Sequence, residues 1–188
     1  MLAKRIFDLI FSSFLLIILF LPILVISALI KLSSRGPVLY VSDRIGRGNQ
    51  VFRMYKFRTM MLDTPTLATH LMDDPGKYLT PIGYFLRKSS IDELPQLINI
   101  LRGEMSFVGP RPALYNQYDL ISLRTENSIH ELEPGLTGWA QINGRDELPI
   151  PVKVEYDQYY VRNRSFLFDM KILILTILKV IKKEGVSH

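Results

Sequence analysis

From Leu9 to Ile30 the chain runs for 22 residues without a charge, and nearly all of them are apolar. As a straight helix this run covers about 33 Å, close to the roughly 30 Å of a bilayer core. It is longer than a signal-peptide core and has no clean small-x-small cleavage pattern, so it reads as a retained membrane anchor. Pro22 lies within the run, where its missing N–H and its ring predict a kink. Ser12 and Ser13 lie nearby in sequence as candidate partners for the freed backbone groups. Lys4 and Arg5 precede the run and Lys31, Arg35, Arg44 and Arg47 follow it. Cations on both sides place both ends on the cytoplasmic face under the positive-inside bias. The expectation is a helix bent at Pro22 that enters and leaves one leaflet; a single kinked span is the plain alternative.

The remaining length limits the architecture. A chain of 188 residues suits one domain of moderate core. A net charge of +5 favours anionic partners, namely nucleic acid, acidic lipid or phosphorylated substrates. With no cysteine, disulfides and thiolate metal sites are excluded. No recognisable nucleic-acid motif accompanies the charge, and the apolar run argues for membrane lipids instead.

Residues 1–34 read as the anchor and 35–188 as one continuous domain. Val38–Val41 and Val51–Tyr55 flank the turn Gly46-Arg47-Gly48-Asn49 and predict a β-hairpin. Lys56-Phe57-Arg58-Thr59-Met60 follows, most simply a solvated strand end. The breaker-rich stretch 63–76 reads as a surface loop, with Asp63, His70, Asp73 and Asp74 solvated. A helix is expected from about Leu94-Pro95 to Gly103. Phe166 to Lys183 is amphipathic, with an aliphatic face and lysines, which suits a helix in the membrane interface or an ordinary core helix. Tyr156, Tyr159, Tyr160 and Phe166 just before it could mark the head-group level.

Asp92 and Glu93 stand immediately before the predicted Leu94-Pro95 start. The partial positive charge of a helix N-terminus favours ionised acids there. Ser90-Ile91-Asp92-Glu93 also matches a capping box, which would make the pair purely structural. Their surroundings are cationic, from Arg87-Lys88 to Gly109-Pro110-Arg111-Pro112. Two prolines around Arg111 restrict where its guanidinium can point, as bidentate phosphate recognition requires. Glu133 to Arg145 adds turn glycines, Trp139, Gln141 and Arg145. That stretch is either a packed turn or a wall offering donors to phosphate and a ring or amides to a base or sugar.

Four ordered motifs resemble the bacterial sugar transferases, the monotopic polyprenyl-phosphate phosphoglycosyl transferases. They are Lys56–Met60, Arg87–Gln96, Met105–Pro112 and Pro134–Gln141. The length is similar to minimal members such as the bacillosamine-type transferase of bacterial N-glycosylation. Leu21-Pro22 departs from the Ser-Pro those members often carry at the membrane kink.

The resemblance implies a mainly helical α+β fold with a re-entrant, proline-kinked membrane helix, interfacial amphipathic helices and a small hairpin. One compact catalytic domain would lie on the cytoplasmic face of the bacterial plasma membrane. It implies transfer of a sugar 1-phosphate from a UDP-sugar to polyprenyl (undecaprenyl) phosphate, with release of UMP, initiating lipid-linked glycan assembly. In that reading Asp92 is the nucleophile, forming an acyl-phosphate with the sugar phosphate. Mg²⁺ would sit at Asp92 and Glu93, because hard cations prefer carboxylate and phosphate oxygens. Glu93 positions the metal or accepts a proton, and positioning is favoured because a phosphate monoester is already largely dianionic at neutral pH. Arg87 and Arg111 are expected to clamp phosphate, with Lys56 and Arg58 beside them; Gln141, Arg145 and Trp139 are candidate substrate contacts. A membrane scaffold and a Mg²⁺-dependent phosphohydrolase are the competing classes.

Overall fold

The computed structural model describes residues 2–64, 74–144 and 148–182. The apolar run forms two helices, α1 (Leu2–Ile18) and α2 (Phe20–Ser33), bent by 62° at Leu19. The bend lies three residues ahead of Pro22. Proline has no N–H for the carbonyl four residues back, that of Ile18, and its ring crowds the same group. The chain therefore turns where that carbonyl sits. Ser12 does not serve the bend, because its hydroxyl donates to the carbonyls of Asp8 and Leu9 within α1. No single helix among the described residues is long and apolar enough to cross a membrane, whereas the bent pair together has the length and composition.

The expected hairpin is present and longer than its β-prone cores. β1 (Leu39–Ile45) pairs antiparallel with β2 (Val51–Phe57), Leu39 facing Phe57 and Ile45 facing Val51. After α3 (Gly83–Lys88) comes a single 3-10 turn, Ile91–Glu93, and then α4 (Gln96–Arg102). Pro95 sits at the N-cap of α4, and Gly103 ends it with φ 82°, a left-handed conformation that glycine adopts without a Cβ penalty. β3 (Ser106–Val108) follows, then β4 (Ala113–Leu114), which joins the free edge of β1. α5 (Tyr118–Glu126) leads to β5 (Gly135–Thr137), parallel to β3, then to α6 (Trp139–Ile142), α7 (Ile150–Asn163) and α8 (Phe166–Lys182). The protein is thus mainly helical α+β, with two small sheets among the described residues.

The main core gathers Phe52, Met54, Leu97, Ile100, Phe107 and Ile172 from β2, α4, β3 and α8. Phe7, Phe11, Leu15 and Leu16 of α1 pack against it, so the first half of the apolar run also builds the globular core. Polar contacts fix the entry of α1. Arg5 donates to the carbonyls of Ile100 and Leu101 at the end of α4, and buried Asp8 accepts the Phe107 N–H at 3.2 Å. Lys4 donates to the Val108 carbonyl at 2.8 Å and to Asp169 at 2.7 Å.

The other face of the anchor is bare. Ile10, Phe14, Ile17, Phe20, Leu21, Leu24 and Val25 are exposed, far more contiguous apolar surface than a protein in water normally shows. α8 is two-sided: Ile172 is wholly buried, while Leu167, Ile174, Ile177 and Leu178 are exposed. Tyr160 does not mark a head-group level. It is buried and donates to Asp169 at 2.7 Å.

Candidate functional site

Ser90 takes φ 56°, and this left-handed residue starts the 3-10 turn that carries Asp92 and Glu93. No side-chain cap is made there, so the capping box is not formed. Glu93 instead turns to cations: its Oε1 lies 2.7 Å from Lys56 Nζ and 3.5 Å from Arg111 Nη1. Lys56 is not at a solvated strand end. It lies within β2, half-buried, with Phe57, Arg58 and Thr59 buried after it.

Asp92 is 7% exposed and accepts no hydrogen bond from any described residue. Its carboxyl is pushed up to about 6, chiefly by burial. Lys56 opposes that rise most, followed by Arg87 and Arg111, while the neighbouring Glu93 charge adds to it. Asp92 therefore stays largely ionised at neutral pH, as the sequence led us to expect, but it holds its proton more tightly than a carboxyl at an open helix end would. Removal from water outweighs whatever a seven-residue helix supplies. The Arg87 guanidinium is itself lowered from its usual range by burial, with Asp92 pulling the other way, and its Nε donates to Thr59 at 3.1 Å.

Lys56, Arg87, Asp92, Glu93 and Arg111 are thereby brought into one electrostatic cluster from β2, α3, the 3-10 turn and the β3–β4 connection. Two carboxylates among three cations attract a diphosphate and leave one carboxylate, unbonded among the described residues, for chemistry. Arg58 is placed elsewhere. Its Nη2 donates to Ser34 O at 2.9 Å and its Nη1 to Arg35 O, clipping the end of α2 to the sheet.

The wall from Glu133 onward is split. The Gly135 N–H donates to Pro110 O at 2.9 Å and the Gly109 N–H to Thr137 O at 2.9 Å. These donors hold the Arg111 segment. The approach is so close that a Cβ on Gly138 would stand 2.1 Å from Gly109 O. Trp139 stacks on Tyr159 at 5.6 Å between centroids and lies 5.0 Å from Phe168, joining α6 to α7 and α8. Gln141 has both amide atoms buried without a hydrogen-bond partner among the described residues. Arg145 lies outside the described residues.

The donor chemistry fits Mg²⁺ in part. No group of three or more candidate ligands occurs among the described residues. Mg²⁺ commonly takes one or two carboxylates and completes its shell with substrate phosphates and water, which Asp92 and Glu93 can match.

Sequence reasoning passed over three buried polar residues around this cluster. Asn99 receives the Tyr55 N–H at 3.1 Å and donates to Arg53 O at 2.7 Å, fastening α4 to β2. Arg124 and Asp157 form a buried ion pair at 2.6 Å. Nothing local marks them, since each pairing spans more than 30 residues.

Comparison with known proteins adds an independent line. The chain is 45% identical to the uncharacterized sugar transferase EpsL of Bacillus subtilis, over 100% of this chain and 92% of that protein. It is 45% identical to the undecaprenyl-phosphate glucose phosphotransferase of Komagataeibacter xylinus, over 94% of this chain but 35% of that protein. It is 38% identical to the UDP-glucose:undecaprenyl-phosphate glucose-1-phosphate transferase of Escherichia coli, over 95% of this chain and 40% of that protein. The family profile described as bacterial sugar transferase matches residues 1–183, and the chain belongs to that family.

Proposed function

We propose that this protein transfers a sugar 1-phosphate from a UDP-sugar to undecaprenyl phosphate, releasing UMP and initiating polysaccharide assembly. The observation that carries this reading is Asp92, a buried carboxylate that accepts no hydrogen bond from the described residues, set among Lys56, Arg87 and Arg111. The names of relatives that share this region, with undecaprenyl phosphate as acceptor, support the substrate pair.

Asp92 attacks the β-phosphorus of the UDP-sugar, and the bond to the bridging α–β oxygen breaks. UMP leaves with that electron pair, and an aspartyl phosphosugar remains. An oxygen of undecaprenyl phosphate then attacks the same phosphorus. The acyl-phosphate bond breaks, and the Asp92 carboxylate is restored. Arg87 and Arg111 hold the phosphate oxygens as their negative charge shifts, while Lys56 and Glu93 fix each other beside the nucleophile. Mg²⁺ held at Asp92 and Glu93 would supply charge neutralisation to the diphosphate.

The bare faces of α1, α2 and α8 suit a monotopic protein in the bacterial plasma membrane, its anchor re-entrant and its catalytic part facing the cytoplasm. A soluble nucleotide sugar and a lipid acceptor then meet at one surface.

UMP release over a panel of UDP-sugars, with and without undecaprenyl phosphate and with and without Mg²⁺, tests the reading. UDP-glucose, UDP-N-acetylgalactosamine and a bacillosamine-type UDP-sugar belong in the panel, which also decides the finer bacillosamine-type expectation. Lipid-dependent UMP release is the expected result. Free sugar phosphate formed without lipid would identify a phosphohydrolase, and no release from any donor would leave a scaffold.

A further inference from the structure

From Val108 at the end of β3 the chain runs to β4 through Gly109-Pro110-Arg111-Pro112, an irregular stretch with much of its backbone tied down. Lys4 holds Val108 O at 2.8 Å, Thr137 O receives the Gly109 N–H, and the Gly135 N–H holds Pro110 O. At the far end the Arg111 carbonyl accepts from Arg124 Nη1 at 2.8 Å.

Arg124 is a costly choice for that task. It is 7% exposed on α5, and its charge is met by Asp157 of α7, 1% exposed. Asp157 Oδ2 receives Arg124 Nε at 3.0 Å and Nη2 at 2.6 Å, which fixes the plane of the guanidinium. The third nitrogen is left pointing at the Arg111 carbonyl. Breaking a buried ion pair is expensive, and an apolar pair could have joined α5 to α7 without it. What an apolar pair cannot supply is a rigid charged donor to one backbone carbonyl.

We propose that Arg124 and Asp157 are positioning residues for the reaction, holding the Arg111 main chain so that its side chain meets both Glu93 and the substrate diphosphate. The inference rests on the transferase reading for the identity of the diphosphate. Its energetic content is coupling: Arg124 acts only through Arg111. A pair that merely braces α5 against α7 would act independently of Arg111.

The test is a double-mutant cycle on UDP affinity, measured by titration calorimetry with the full chain in lipid nanodiscs. The variants are Arg111→Ala, Arg124→Gln and their combination, with Asp157→Asn replacing Arg124→Gln should that variant not fold. Each single change is expected to weaken UDP by about tenfold, the scale of one charge-assisted hydrogen bond. In the Arg111→Ala background the second change is expected to add nothing. Additive losses, or an Arg111→Ala variant that binds UDP as the wild type does, overturn the proposal. UMP release by the wild type is assayed in parallel. Its absence with every donor refutes the transferase reading, while the cycle on UDP still decides the positioning role.

Discussion

Lys56 Nζ stands 2.7 Å from Glu93 Oε1, across 37 residues of chain, and ties strand β2 to the turn that carries Asp92. The ion pair leaves Asp92 beside a fixed cation rather than a mobile one. Lys56→Met removes the largest influence holding the Asp92 carboxyl down. The expected outcome is a fall in kcat/KM of roughly 100-fold. The acid limb of the pH profile should also move to higher pH; an unmoved limb in UMP-release kinetics would separate Lys56 from Asp92.

Asp92→Asn is expected to abolish turnover and the trapping of a phosphosugar adduct, read by mass spectrometry of the denatured protein. In the wild type, kcat/KM should fall as pH drops through about 6, because protonation removes the nucleophile. Stability runs the other way. The folded carboxyl binds its proton more tightly than the unfolded one, so its contribution is full at low pH and is lost as pH rises through about 6. Asp92→Asn should therefore raise stability at pH 7.5 by roughly 1–3 kcal/mol. A lowered Tm would contradict burial as the main cause of the shift.

Glu93→Gln keeps the shape but loses the charge facing Lys56 and Arg111. Adduct formation is expected to survive while transfer to lipid slows. Single-turnover trapping with and without undecaprenyl phosphate separates the steps, and loss of the adduct itself would assign Glu93 to the first.

Asn99→Ala strands the Tyr55 N–H and the Arg53 carbonyl between α4 and β2, with the side chain fully buried. A loss of about 2–4 kcal/mol is expected, visible in denaturant unfolding. Because Lys56 follows Tyr55 on β2, kcat/KM should fall as well at temperatures where the variant is fully folded.

Deleting residues 1–30 is expected to give an unfolded product rather than a soluble enzyme, because Phe7, Phe11 and Leu16 belong to the core packing. Leu24→Lys with Val25→Lys changes only exposed positions of α2. Each lysine would cost about 2.5–3.5 kcal/mol at bilayer depth, so the variant should shift out of the membrane fraction. Unchanged sedimentation with membranes would show that this face is not in lipid. Tags at residues 1 and 188 should be accessible from the same side of sealed vesicles.

Periodicity and turn chemistry carried the local structure. An uncharged run, Pro22, the glycine-rich turn before Val51 and the Pro95–Gly103 bracket each act over a few residues, so the bent anchor, the hairpin and α4 were readable in order. The cluster was readable only as composition: Lys56, Arg87, Asp92, Glu93 and Arg111 are charges gathered in motifs. Which charge meets which depends on side-chain reach across packed elements. For that reason Arg58, two residues from Lys56, went to the end of α2, and Trp139 went into an aromatic stack. The position of the bend at Leu19, the use of α1 as core wall, and the Arg124–Asp157 pair are likewise products of packing. Burial was the chief cause that moved the Asp92 carboxyl to about 6, since desolvation is a property of the assembled surroundings and of no short stretch of chain.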